Sequence, residues 1–249
     1  MINYLKSEHY RLLRKKSLYI TSGIGFLLIV AAAAVLHYFP RIDPTFPYAT
    51  STFFYSNVVA GWVLIMLFAL IFNLALTGKD LSVIKQSVSF GISRNTIYWT
   101  KLILTLSYFL LICLVGLLLA ISLGENLLNT VEHSVRNFLI ACFNMLPIVL
   151  SGFFMIHSLR MLNAGESIII FLMFFIFYLS GNILRALFRF IPGLDELYKY
   201  TPNMLLNDNL VKFLNHESAF DYRFWITGFV ISALSLLIGV KKFAKKPID

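Results

Sequence analysis

Charge is scarce in this chain. Only 13% of its 249 residues are Asp, Glu, Lys or Arg, against 59% hydrophobic ones. A soluble domain does not carry that balance, and a mean hydropathy of +0.79 points to a polytopic helical membrane protein. Cysteine is scarce as well. Cys113 and Cys142 both fall in apolar runs, where small buried hydrophobes are expected and a disulfide is not. The motifs of catalysis are missing: there is no HExxH, no GxSxG and no carboxylate pair within an apolar run. The five histidines (9, 37, 133, 157 and 216) stand far apart without ligand spacing, and each is expected at a surface or an interface. A phosphate-cradling GxxxxGK[ST] loop is also absent, since Gly78-Lys79-Asp80 has neither the spacing nor the hydroxyl. No enzyme activity, metal or cofactor is therefore expected of this chain, and it cannot drive transport with ATP by itself.

Long apolar runs fill the space that charge leaves. Six spans are expected in an all-α fold: Ser17 to Phe39, Tyr48 to Leu76, Leu102 to Leu123, Phe138 to Ile156, Ser167 to Ile183 and Phe224 to Val240. The second is longer than a bilayer requires, and Pro147 should kink the fourth. No Asp, Glu, Lys or Arg lies within these limits, which tells against an ion-coupled carrier. Residues 1–16 read as an interfacial amphipathic helix, with Ile2, Leu5, His9, Leu12 and Leu13 on one face. The segment 184–223 reads as a broken-helix region at the outer surface. Leu184, Leu187, Phe188 and Ile191 form a stripe in a helix that folds back, and Tyr200-Thr201-Pro202 breaks the second short piece. The whole of 1–249 is read as one transmembrane domain, with no internal repeat, no separate soluble domain and no cleavable secretory signal.

Residues 77–101 interrupt this pattern with the longest polar run before residue 124. Ser82 is expected to cap a short helix whose apolar stripe is Leu81, Ile84 and Val88, and Gly91 to end it in the left-handed conformation. Ser93 caps the next helix. So short an amphipathic helix between two spans needs a membrane surface or another protein to cover its stripe.

The stretch IKQSVSFGISRNTIYWTK resembles the segment between spans two and three in type 2 permeases of ABC transporters. More narrowly, it is similar to small Gram-positive permeases for bacteriocin immunity or amphipathic peptide export. Asp80 matches the family's acidic position, Gly91 its glycine, Ser93 and Arg94 its Ser-Arg pair, and Lys101 its lysine. Ser82 and Val83 stand where Gly-Thr is usual. The resemblance implies that this helix couples to an ATP-hydrolysing subunit through Asp80, Leu81, Ile84, Lys85, Val88, Gly91, Ser93 and Arg94. It further implies two copies of that ATPase, which would hold the ATP and Mg, and a second permease, identical or different. The bilayer completes the set of partners; nucleic acid is not among them.

Polar groups in apolar surroundings are the substrate-path candidates. They are Asn57 and Asn73 in the second span, with Ser180 and Asn182 in the fifth, although interhelical hydrogen bonding is the first expectation for such groups. Phe174 and Tyr178 stand in an aromatic cluster of the fifth span. The expected function is export of a hydrophobic or amphipathic substrate, best matched by a bacteriocin or cytolytic peptide. A lipid, glycolipid or drug exporter, and a non-transporting membrane scaffold, stay open as alternatives.

Orientation follows from basic residues. The termini with 77–101 and 157–166 hold 14 Lys or Arg, and the other loops 7; acids divide 4 against 8. The basic side is expected in the cytoplasm of a plasma-membrane protein, with both termini. Labelling checks this in intact cells: Gln86→Cys and Ile248→Cys should react only from the cytoplasmic side, His216→Cys only from outside. External labelling at 86 reverses the orientation.

Overall fold

An apolar segment in lipid must satisfy its own backbone polar groups, and the α-helix does so within one stretch of chain. The computed structural model describes residues 2–77, 81–191, 194 and 196–246, and among them there is no β-strand, only an isolated bridge between Thr50 and Asn129. Eleven α-helices are described, in chain order: α1 (Ile2–Leu13), α2 (Lys16–Ile42), α3 (Ser51–Ala60), α4 (Trp62–Thr77), α5 (Leu81–Ser89), α6 (Arg94–Leu127), α7 (Ser134–Met161), α8 (Glu166–Phe174), α9 (Ser180–Phe188), α10 (Pro202–Leu214) and α11 (Tyr222–Lys245). A π-turn at Phe175–Leu179 joins α8 to α9. Five helical segments are long and apolar enough to cross a membrane, and six if the bent pair α3–α4 counts as one. Such a set is compatible with a multi-pass membrane protein.

The second expected span is not straight. Ser51–Ala60 and Trp62–Thr77 meet at 51°, with Gly61 between them. Gly61 leaves helical geometry at φ −75°, ψ 13°, and its N–H bonds to Val58 O three residues back. A glycine hinge of this kind accounts for the bend.

α7 is the central helix. α4 packs on it, as does α11, and α3 and α10 also meet it, α10 towards its N-terminal end. Contact with α11 is so close that a Cβ on Gly228 would lie 2.5 Å from the Pro147 carbonyl oxygen. Only glycine fits there. α2 and the α8–α9 segment flank this core and keep most of their apolar side chains exposed, including Leu27, Val35, Phe171 and Phe174. Cys113 is likewise exposed rather than a buried hydrophobe, and Cys142 is half-buried.

The region 184–223 departs from expectation. The fifth span does not stop at Ile183: α9 runs through Phe188, so the stripe expected to fold back continues the span, and Leu187 is 64% exposed. The second short piece does end at Tyr200-Thr201, as a single 3-10 turn, and Pro202 in addition starts a helix. It stands in the first turn of α10, where a missing N–H costs nothing, and Leu205, Leu206 and Phe213 of that helix are buried.

Polar contacts fasten α10 in place. Asn144 of α7 donates to Ala219 O at 2.8 Å and accepts from Asp221 N at 3.1 Å, while Asn209 donates to Ala141 O at 2.9 Å. Arg223 bridges Asp221 at 2.6 Å and Asp208 at 2.9 Å. Hydrogen bonds from Arg223 hold the Asp221 carboxyl down at about 2. A depressed carboxyl contributes stability above its unfolded value, near 4, and loses it as pH falls towards 2. Asp221→Asn should therefore lower the melting temperature of the purified chain at pH 7 and flatten its decline between pH 4 and pH 2. An unchanged acid profile would show that this cluster does not set it.

Candidate functional site

The elbow from α5 into α6 is built as its residues dictate. α5 ends with Gly91 N bonded to Val88 O at 2.9 Å and Ile92 N to Ser87 O at 3.1 Å. Gly91 has φ +81°, and a Cβ there would meet nothing within 4 Å, so backbone conformation rather than space selects glycine. Ser93 then caps α6 by accepting from Thr96 N at 3.2 Å. Asp80 lies outside the described residues, as do the side chains of Leu81 and Ser82. The helix begins at Leu81, which places Ser82 inside it and not at the cap.

Two of the three stripe residues of α5 face this chain's own core. Ile84 is 5% exposed, within the cluster that holds Leu12, Leu76 and Ile97, and Val88 packs against it half-buried. Ile84 and Val88 of the stripe are therefore covered from within, not left for a partner as the sequence suggests. α6 packs on α5, in the same cluster as residues of α1 and α4. What α5 and its turn present outward is Lys85, Gln86, Ser89 and Phe90, the last 76% exposed. No periodic signal singled out Phe90, because it stands beyond the helical stripe.

Arg94 also has an internal task. Its guanidinium donates to the Ala244 carbonyl at 3.2 Å and to that of Lys246, where α11 ends. Lys246 in turn donates to Leu162 O at 2.9 Å, and burial pulls its amine below the ordinary lysine range. Two cations thus satisfy carbonyls at the ends of α11 and α7.

Beneath the elbow lies a charged centre that sequence reasoning missed. Lys101, drawn just before the third span, is inside α6 and fully buried. Its Nζ donates to Leu76 O at 2.6 Å and to Glu8 Oε2 at 3.1 Å, and Arg11 pairs with the same carboxylate at 3.0 Å. Glu8 is 2% exposed, so α1 turns its Tyr4–Glu8–Leu12 side inward and leaves Ile2, His9 and Leu13 exposed. This differs from the expected interfacial face because the buried ammonium requires a carboxylate. Burial, reinforced by Glu8, pushes the Tyr4 phenol above its ordinary range. The one acid among the basic residues of α1 was the available signal.

His157, expected at a surface, is fully buried. Its Nδ1 is 3.0 Å from Asn73 Oδ1, and its ring meets Tyr98 edge-on at 4.9 Å. Asn73 also donates to Ala69 O at 2.9 Å, so its amide ties α4 to α7. Asn57 and Ser180 bond the carbonyls of Phe53 and Ile176 in their own helical segments, at 2.8 and 2.6 Å. Phe174 and Tyr178 stack at 4.9 Å on the exposed face of α8 and the π-turn, and Asn182 is exposed beyond them. The six substrate-path candidates thus divide into an interhelical bond, two local bonds and one exposed face.

Removing one partner of a buried ion pair costs about 3–5 kcal/mol. Lys101→Met should lower the melting temperature more than Glu8→Gln, which leaves a neutral acceptor. Glu8→Gln combined with Lys101→Met should recover part of the loss. Purely additive melting shifts would show that the two are uncoupled.

No family model, curated protein or solved structure matches this chain.

Proposed function

We propose that the chain is the permease subunit of an ABC exporter in the plasma membrane, pairing with a second permease and two separate ATPase subunits. The observation that carries this reading is the elbow: a short helix between two apolar spans, ended by Gly91 at φ +81° and followed by the Ser93 cap. Lys85, Gln86, Ser89 and Phe90 are turned outward there. Ser93 and Arg94 occupy the positions of the resembled motif, and Arg94 anchors the elbow to the end of α11. A push on the outward face would pass into α6 and α11 through these contacts and into α1 through Lys101. ATP and Mg belong to the partner, since no nucleotide-binding loop occurs in this sequence. The orientation that puts this elbow in the cytoplasm rests on the excess of basic residues at that end.

The substrate class is an amphipathic peptide. Phe171 stacks on Phe175 and Phe174 on Tyr178 along the exposed face of the fifth span, giving an aromatic surface within apolar surroundings. Such a surface suits a peptide with one apolar face taken from the membrane or the cytoplasm.

Phe90 is the contact that separates docking from folding. Covering an aromatic side chain of its size contributes roughly 1.5–3 kcal/mol, or about ten- to a hundredfold in affinity. Phe90→Asp should reduce co-purification of the ATPase by that factor and abolish peptide-stimulated ATP hydrolysis, while the chain itself still assembles. Ile84→Asp should instead impair folding, because that side chain is buried in the chain's own core. If Phe90→Asp retains the ATPase and its response to peptide, the elbow is not the coupling element. If no ATPase accompanies the wild-type chain, the scaffold alternative replaces the exporter.

A further inference from the structure

At the far end of the fifth span, two arginines line a basin that the proposed transport activity does not use. Asn182, Arg185, Ala186, Arg189 and Tyr198 enclose about 530 Å³ between α9 and the 3-10 turn at Leu197–Tyr200. Arg185 lies over the Tyr198 ring at 5.4 Å and Arg189 over the Phe190 ring at 5.6 Å. Both arginines are exposed, and neither has an ion-pair partner among the described residues. Each guanidinium lies within cation–π range of a ring and keeps its N–H groups for an acceptor. Lys199, the third cation nearby, is already paired with Glu196.

The depth of the basin and its rim agree on what fills it. Glu166 begins the span at one surface, and Arg185 stands 19 positions later. At about 1.5 Å per residue that is roughly 29 Å, the thickness of a bilayer's hydrocarbon core, and Arg189 falls one turn beyond. The arginines therefore stand at the level of phospholipid headgroups. Apolar side chains follow them at the same level: Phe190 is 84% exposed and Ile191 44%. A soluble anion would have no use for that rim, whereas acyl chains cover it.

We propose that this basin binds the phosphate of an anionic phospholipid headgroup. Arg185 and Arg189 donate to its oxygens, Asn182 and Tyr198 offer further donors, and the acyl chains lie along Phe190. The site needs only that the fifth span cross the membrane, so it stands or falls independently of the exporter reading.

The full-length chain, purified in detergent and stripped of lipid, provides the test. Phosphatidylglycerol should raise its melting temperature saturably, while phosphatidylcholine and inorganic phosphate should not. Replacing both guanidiniums (Arg185→Gln with Arg189→Gln) should weaken the apparent Kd roughly tenfold or more, since hydrogen bonds to charged groups are the ones removed. Arg136→Gln, which removes an exposed charge elsewhere at the same end, should leave it unchanged. Should the Gln pair fail to purify, Arg185→Lys with Arg189→Lys is read instead. It keeps both charges without the planar fork, and a several-fold weakening is expected. Equal effects of the two lipids, displacement of phosphatidylglycerol by inorganic phosphate, or a wild-type Kd in the readable variant would each overturn the site.

Discussion

A lysine without water must find oxygen, and Lys101 finds it at a point where three helices meet. Its ammonium takes the Leu76 carbonyl at the end of α4 and the Glu8 carboxylate of α1, while its own backbone belongs to α6. Neither charge could be stable there alone, because a desolvated ion costs several kcal/mol. The pair consequently sets the position of α1 and closes the base over which α5 lies. Ile84 completes the same arrangement from the apolar side, packed in the cluster that includes Leu12 and Leu76. α5 is thus held by apolar contact beside the ion-paired centre, and its outer surface is open to a partner.

The opposite end is closed by a different device. There α10 is a buried helix, fixed by Asn144 and Asn209 and by the Arg223 bridges to Asp208 and Asp221. Tyr55 adds a stack on Phe138 at 4.5 Å and a hydrogen bond to Glu125 at 2.9 Å. Both ends therefore rely on polar side chains reaching backbone carbonyls or carboxylates, while the middle relies on close apolar contact such as that of Gly228 with Pro147. The flanking helices α2 and α8–α9 take part in neither arrangement to the same degree and keep broad apolar faces exposed.

The all-helical class and the long apolar runs were readable from hydropathy, because burial in lipid demands unbroken apolar stretches whatever the tertiary contacts. The Gly91 stop and the Ser93 cap were readable too, since both act within a few residues of sequence. Contacts between distant segments were not. Periodicity marks Ile84 as apolar but cannot say which surface covers it, and the answer is this chain's own core. It places Lys101 and His157 near the ends of spans, where water is the simplest expectation, yet Glu8 and Asn73 lie 93 and 84 residues away in sequence and draw them inside. Pro202 was legible in half: the break before it is there, but proline starts helices as well as ending them, and the buried Leu205 and Leu206 belong to a helix that follows.

The same distinction separates what α5 presents from what it hides. An outward-facing patch of Lys85, Gln86, Ser89 and Phe90 is small, and by itself it would bind weakly. Its value to the proposed coupling is mechanical. Gly91 and Ser93 join α5 to α6 through a turn only a few residues long, and Arg94, the first residue of α6, grips the end of α11. A displacement at Phe90 therefore has few soft torsions in which to dissipate before it reaches two long helices. α7 lies against both, with its own end held by Lys246 at Leu162. The fifth span stands apart from this linkage, since its π-turn and largely exposed faces leave it less constrained. Tight polar anchoring at one end and an aromatic helix with largely exposed faces thus occupy separate parts of the chain.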